Sequence, residues 1–374
     1  MLDDLLVGSL MALALAACGP DDADSLRSFT PVAGRFEYTA GGYGFDAMDN
    51  LLLVGPMESV RWNARAQAAE RFGGPLDANS GRILRDGAGN LILHGGANAL
   101  AMLSLESGST WTNVELPDRY NVDAADPRVY STFIATNVEI DRAGTVFALG
   151  DSIQAHADGT STAARVLLRR SRGNPTPEIV GEYAASAGQM TSIPGVGNVV
   201  ITGMSVRGDG TVFLTGTTLV AIPAGTTVAH RVFDCSVVVG RYCGATGVLT
   251  NPRSDIAYVD GPWRLPEGTS FPIVPEAVDP GPAPQLRPQF RVDEDGTLWA
   301  AQNVPEEVTV DYPPYLLDVT HLRRLDGTSW SDVSRFVTPS FTWVQNDHGR
   351  LYSFGRQLAA GGIWVPWGVY ELAL

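Results

Sequence analysis

One turn recurs along this chain, and it narrows the choice of fold more than any other feature. An alternating apolar strand runs into Asp or Asn. Two residues intervene before Gly, which is followed by a small polar residue and a second apolar strand. Clear copies are Ile83 to Leu93, around Asp86 and Gly89, and Val138 to Leu149, around Asp141 and Gly144. Others are Met204 to Leu214 with Gly210 and Thr211, Phe290 to Ala300 with Asp293 and Gly296, and Trp343 to Phe354 with Asn346 and Gly349. Two weaker copies run Asp46 to Leu53, with Asp49 in the glycine place, and Asn251 to Val259, with Ser254 there. Asp or Asn accepts hydrogen bonds from the amides that follow, and Gly takes positive φ at no steric cost. Period-two alternation on both sides makes each copy a hairpin of half-buried strands.

The turn positions 49, 89, 144, 210, 254, 296 and 349 lie 40 to 66 residues apart. In several units a second motif follows: a strand, a Gly turn and an outer strand. Met102 to Gly108 leads to Trp111 to Val114, and His321 to Gly327 leads to Trp330 to Val333. Weaker versions run Leu219 to Val228 and Trp263 to Val274. Four strands in a unit of about 50 residues make one blade, and such units must stack to bury both faces. The expected fold is therefore all-β, a seven-bladed β-propeller over residues 28–374, with six or eight blades left open by the two degenerate copies. Val369 to Leu372 reads as a third strand with no fourth after it, and Ser28 to Val32 as an outer strand with no partner before it. The N-terminal strand is expected to close the last blade, which removes a free edge. Ala64 to Phe72 is alanine-rich and suits a short helix where the first unit needs its outer strand. The Pro-rich stretch from Phe271 to Pro288 reads as a long connection, so no second domain is expected.

The first residues supply an address. Leu5 to Ala17 is apolar but too short for a bilayer span, which takes about 20 residues. It ends in Leu15-Ala16-Ala17-Cys18, which resembles the lipobox of bacterial lipoproteins, although Asp3 and Asp4 stand where that family carries positive charge. The resemblance implies a signal peptide at 1–17, a lipidated Cys18 and a lipid-bearing tether at 18–27. Gly19 after the cysteine implies sorting to the outer membrane. Pro20 to Ser25 is polar and acidic, as a flexible tether should be.

Composition excludes more than it selects. None of the 374 residues is lysine, so all 26 basic side chains are arginine. Schiff-base chemistry, a pyridoxal phosphate anchor and a Walker-type phosphate loop are ruled out. A net charge of −15 argues against a nucleic-acid partner. His94, His156, His230, His321 and His348 show no ligand spacing, so neither a metal nor a cofactor is expected.

The hairpin pattern resembles the D-x-x-G-x-h-h hairpins of bacterial propellers with two-component-regulator and NHL-type repeats. Ser104-x-Glu106-x-Gly108-x-Thr110-Trp111 resembles an Asp-box, the turn of sialidase and sortilin-like propellers, with Glu in place of Asp. These likenesses imply a fold and leave function open. Leu149-Gly150-Asp151-Ser152 resembles the nucleophile block of GDSL-type esterases, and Asp318-Val319-Thr320-His321 the distal block of that family. That family alternates strands with helices, which this chain does not, so Ser152 is read as capping a loop.

Binding is argued from loops on the propeller face opposite the D-x-x-G turns, where variation over a rigid scaffold carries function. They comprise His94 to Asn98, Gly150 to Ser161, Gln302 to Val319 and the connection Asp118 to Tyr130. The candidate residues are His94, Arg119, Tyr120, Asp151, His156, Asp158, Glu306, Glu307, Asp311, Tyr312 and Tyr315. Acidic groups and tyrosines on one surface suit a protein, peptide or glycan. The expected protein is a lipid-anchored binding or scaffold module of the bacterial envelope. The alternative is a carbohydrate-active hydrolase or lyase on the same scaffold. Cys235 and Cys243 remain once Cys18 is assigned to lipid, and seven residues separate them. In an oxidising compartment such a pair forms a disulfide. Non-reducing peptide mapping should recover one linked fragment, and two free thiols would contradict the assignment.

Overall fold

A computed structural model describes residues 30–33, 42–63, 66, 68–75, 81–96, 98–174, 176–185, 190–233, 247–259, 263–265, 268, 271–272, 276–277, 289–308, 315–336, 342–346, 351–358 and 364–372. Among them every regular element is a β-strand, and no helix long and apolar enough to cross a membrane occurs. The strands form six hydrogen-bonded sheets, blades of a β-propeller arrangement. The chain divides into two compact units: Met1–Thr39 with Asp279–Asp293 and Thr297–Leu374, and Ala40–Val278 with Glu294–Gly296.

The first described strand is β1 (Thr30–Ala33). Then come β2 (Gly42–Phe45), β3 (Leu51–Val54), β4 (Glu58–Asn63) and β5 (Ala68–Gly73), followed by β6 (Gly81–Arg85), β7 (Leu91–Gly96), β8 (Ala99–Leu103) and β9 (Trp111–Glu115). These are two four-stranded antiparallel meanders, joined into one eight-stranded sheet by the parallel pair β2·β6. Gly44 permits that approach, because a Cβ there would lie 2.7 Å from the Cβ of Ile83. A six-stranded sheet follows, with β10 (Arg119–Tyr120), β11 (Ser131–Thr132), β12 (Ile134–Ile140), β13 (Val146–Ala155), β14 (Ser161–Arg170) and β15 (Glu178–Ala184). Next are a five-stranded sheet of β16 (Met190–Ile193), β17 (Gly197–Val206), β18 (Val212–Gly216), β19 (Val220–Ile222) and β20 (His230–Arg231), and a four-stranded one of β21 (Val248–Thr250), β22 (Ala257–Val259), β23 (Trp263–Leu265) and β24 (Glu276–Ala277). The other unit holds β25 (Gln289–Val292), β26 (Leu298–Val308), β27 (Tyr315–Asp326) and β28 (Ser329–Phe336), and the sheet β29 (Thr342–Gln345), β30 (Leu351–Leu358), β31 (Trp364–Leu372) and β1. By hydrogen-bonded sheets the count is six, one fewer than the repeat suggests, because the first sheet contains two meanders.

Core residues come from facing sheets. Leu84, Ile92 and Leu100 cluster with Val138, Ile140 and Val166 of the next sheet. Phe147, Leu149 and Leu167 meet Val206, Val212 and Leu214 in the same way. Leu51 to Val54 are buried on both faces of their strand, as inner strands of stacked sheets must be.

The repeated turn works as its chemistry requires. Oδ1 of Asp86 accepts from the amides of Ala88 at 2.9 Å and Asn90 at 2.8 Å, while Asn90 Nδ2 donates to Oδ2 at 2.8 Å. Asp46 repeats this with Met48 and Asn50. Asp141 and Asp293 accept from Thr145 and Thr297, each at 2.8 Å. Gly89, Gly144, Gly210 and Gly296 have φ between 80° and 88°, and in the degenerate first copy Asp49 itself takes φ 58°. The third copy departs from the rule. Arg207 occupies the aspartate place, is 1% exposed, and donates to Asp209 at 2.5 Å and to the Gly268 carbonyl at 3.0 Å. Asp209 then accepts from the Thr211 amide, so the turn keeps a carboxylate two residues later.

Successive tips also bond to one another. The amide of Gly87 donates to Arg142 O at 2.9 Å, Arg142 to Gly208 O at 3.1 Å, and Gly208 to Ser254 O at 2.8 Å. The Glu294 carboxylate meets Arg253 and lies 3.7 Å from Arg85, which also pairs with Asp49 at 3.0 Å. The Asp-box-like turn is held by Ser104 and Ser107, and its Trp111 Nε1 donates to Ser59 Oγ at 3.1 Å.

Ala68–Gly73 is a strand and not the helix that its alanines suggest. Pairing with β4 brings Glu70 to Arg61 and Arg71 to Glu58, at 3.1 and 3.0 Å, and cross-strand ion pairs outweigh a weak helical propensity. The N-terminal strand does pair with the C-terminal one: Thr30 opposes Glu371, Pro31 opposes Tyr370 and Ala33 opposes Val369. Deleting residues 26–33 should lower the melting temperature by roughly 5 °C or more, since a few kcal/mol shift a domain of this size by that much. An unchanged calorimetric melt would contradict a stabilising role for this strand.

Candidate functional site

The sheet from β10 to β15 is built on a long hairpin. As long as β17 of the next sheet, and shorter than β26 and β27 of the other unit, strands β13 and β14 have ten residues each. They pair without interruption from Val146 opposite Arg170 to Ala155 opposite Ser161. Gly150 to Ala155, expected as loop, therefore continues the strand. The hairpin closes at His156 to Thr160, with Gly159 at φ 83°. There Oδ1 of Asp158 accepts from the amide and hydroxyl of Thr160 at 2.9 and 2.6 Å, which holds its carboxyl below the ordinary carboxylate range. Asp158 is a turn residue.

The connection before β12 lies along this extension. Tyr120 opposes Ser131, and Ser131 opposes Gln154. The Ala155 amide donates to Tyr130 O at 2.9 Å. Buried Asn98 fixes the base of the connection: Nδ2 donates to Asp118 Oδ1 and Phe133 O, both at 2.7 Å, and Oδ1 accepts from the Ala135 amide.

Period-two alternation sorts the extension into two faces. One carries Asp151, paired with Arg165, and the exposed Ile134 and Ile153. The other carries Ser152, Gln154 and their cross-strand neighbours Tyr120, Ser131, Thr162 and Glu182. On this second face the Tyr120 hydroxyl lies 2.8 Å from Ser152 Oγ and 3.3 Å from Glu182 Oε1. Burial pushes the Tyr120 phenol above its ordinary value; the hydrogen bond with Ser152 works against that rise and the charge of Glu182 adds to it. His156 Nε2 reaches Thr162 Oγ1 at 3.1 Å. The Arg119 guanidinium lies 4.3 Å over the Tyr130 ring.

Five of the sequence candidates, Arg119, Tyr120, Asp151, His156 and Asp158, thus belong to one sheet. His94 does not join them; it is half-buried on β7 opposite Leu100. Glu306 and Glu307 oppose Leu317 and Leu316, and Tyr315 opposes Val308, on β26 and β27 of the other unit. Asp311, Tyr312, Cys18, Cys235 and Cys243 lie outside the described residues. Ser152 does not cap a loop. It sits inside β13, 1% exposed, where its hydroxyl is engaged by Tyr120. Sequence reasoning passed over Ser131, Gln154, Thr162 and Glu182; they lie on four different strands, and only the register of the sheet brings them together. Among the described residues no group of three or more His, Cys, Asp or Glu could hold a metal ion.

No family model matches this chain, and no curated protein matches it. Among solved structures, the extracellular domain of a one-component system from B. thetaiotaomicron is 11% identical, with a TM-score of 0.35 over 83% of this chain and 38% of that one. This chain therefore matches well under half the length of that protein. AztD from Citrobacter koseri is 10% identical, with a TM-score of 0.35 and 88% of each chain covered. An ancestral GH74 enzyme is 9% identical, with a TM-score of 0.38 over 85% of this chain and 50% of its own.

Tyr120→Phe removes the link between β10, β13 and β15 and should cost about 1–2 kcal/mol in denaturant melts at pH 7. A raised phenol pKa favours the neutral form in the folded state. That contribution is complete below the unfolded value near 10 and is lost as pH rises through the folded one. The stability difference between wild type and variant should therefore shrink at alkaline pH, and a constant difference would contradict the assignment.

Proposed function

We propose that this protein is a lipid-anchored binding or scaffold module of the bacterial cell envelope, held at the outer membrane through Cys18. The observation that carries the binding reading is the extended β13–β14 hairpin with β10 and β11 laid along it. It sets uncharged hydrogen-bonding side chains and a carboxylate on a rigid face. The repeat carboxylates, in contrast, are taken up by the amides of their own turns. Rigid elements position a recognition surface better than loops do. Within this reading the eight-stranded sheet counts as two blades, since β2–β5 and β6–β9 are separate antiparallel meanders with one repeat turn each. That makes seven blades, with β1 completing the last, and all of residues 28–374 belong to the one propeller.

The address rests on the lipobox resemblance. A short acidic segment from Pro20 to Ser25 suits a tether that keeps the binding face in water. Cys18→Ser should move the protein from the membrane fraction to the soluble envelope fraction. A variant that stays with the membrane would overturn the lipid anchor.

A further inference from the structure

We infer that the second face of the β13–β14 extension is a saccharide-binding strip that takes a neutral, hydroxyl-rich ligand. The inference rests on the binding reading above and names the ligand class. Six side chains from five strands share the face by register: Tyr120, Ser131, Ser152, Gln154, Thr162 and Glu182. Of these, Glu182 alone carries charge, and it is exposed. Its hydrogen bond with Tyr120 is 3.3 Å long, beyond the usual range for O–H···O. A carboxylate has acceptor sites for about four donors, so Glu182 keeps room for vicinal hydroxyls.

Ser131 supplies the second observation. It is fully buried and lies directly across the strand pair from Tyr120, whose phenol its hydroxyl already meets. When Glu182 turns to a ligand, the phenol stays engaged by Ser152 and Ser131, which offsets the cost of releasing the carboxylate.

The chemistry of the strip selects among ligands. A peptide added as an extra strand needs an open edge, and β13 and β14 are paired on both sides. An apolar partner would choose the opposite face, where Ile134 and Ile153 are exposed. An anionic ligand would meet Glu182 with no cation among the six. What remains is a ligand that donates to a carboxylate and exchanges hydrogen bonds with an amide and hydroxyls, as neutral sugars do.

The test uses the full chain on an array of neutral, sialylated and uronic-acid oligosaccharides, followed by calorimetry with the best neutral binder. Neutral sugars should bind, and Glu182→Gln and Gln154→Ala should each weaken the affinity about tenfold, the loss of one good hydrogen bond, with melting temperatures unchanged. The inference is overturned if acidic sugars bind better, if no sugar binds, or if both variants bind as wild type does. A blank array together with a partner protein isolated from envelope extract that binds the purified chain would sink the saccharide assignment and leave the binding module standing. With neither, both readings fall.

Discussion

A buried carboxylate that bonds the amides of its own turn holds four of the repeated hairpins in shape, those of Asp46, Asp86, Asp141 and Asp293. Asp46, Asp86, Asp141 and Asp293 are 8% exposed or less. An acid so far from water is costly unless its oxygens are occupied. The two-residue and four-residue spacings of the turn provide donors at the right places. Burial does leave a mark, since it raises the Asp141 carboxyl above its ordinary value despite the bonds from Thr145. With the turn fixed, the flanking strands are in register and their apolar faces line up for the next sheet. Gly87, Arg142 and Gly208 then bond tip to tip, so the local motif also spaces neighbouring blades.

The parts of this architecture that the sequence revealed are those governed by local stereochemistry. A turn needs an acceptor at its start and positive φ near its end, and few residue types meet both conditions. The hairpins around Asp86, Asp141 and Asp293 were therefore legible, as was the unpaired strand near Thr30. Arg207 shows where such reasoning weakens. The turn there is built by an ion pair between Arg207 and Asp209, so the function of the aspartate survives while its position shifts. Ala68 to Gly73 shows a second limit: alanine content points one way, and the charges on the adjoining strand decide the other.

The polar face of β13 and β14 was harder to see, because no short window contains it. Tyr120 is 32 residues from Ser152 and 62 from Glu182. Only the register of β10, β11, β13, β14 and β15 places them together. Residue type alone drew attention to acids and tyrosines, and so to Asp158, which serves its own turn. It passed over Gln154 and Thr162, which matter because of the face they occupy.

The pairing of β1 with β31 has a mechanical consequence. The segment before Thr30 leads directly into an edge strand four residues long. Pro31 in that strand has no N–H to give, so the ladder is sparse as well as short. A pull on the N-terminal segment therefore loads the contacts with Val369, Tyr370 and Glu371 before any other part of the sheet. The antiparallel meander of β29, β30 and β31 does not need β1 for its own pairing. The strand acts as a fuse: under tension it peels first and leaves the meander behind it paired.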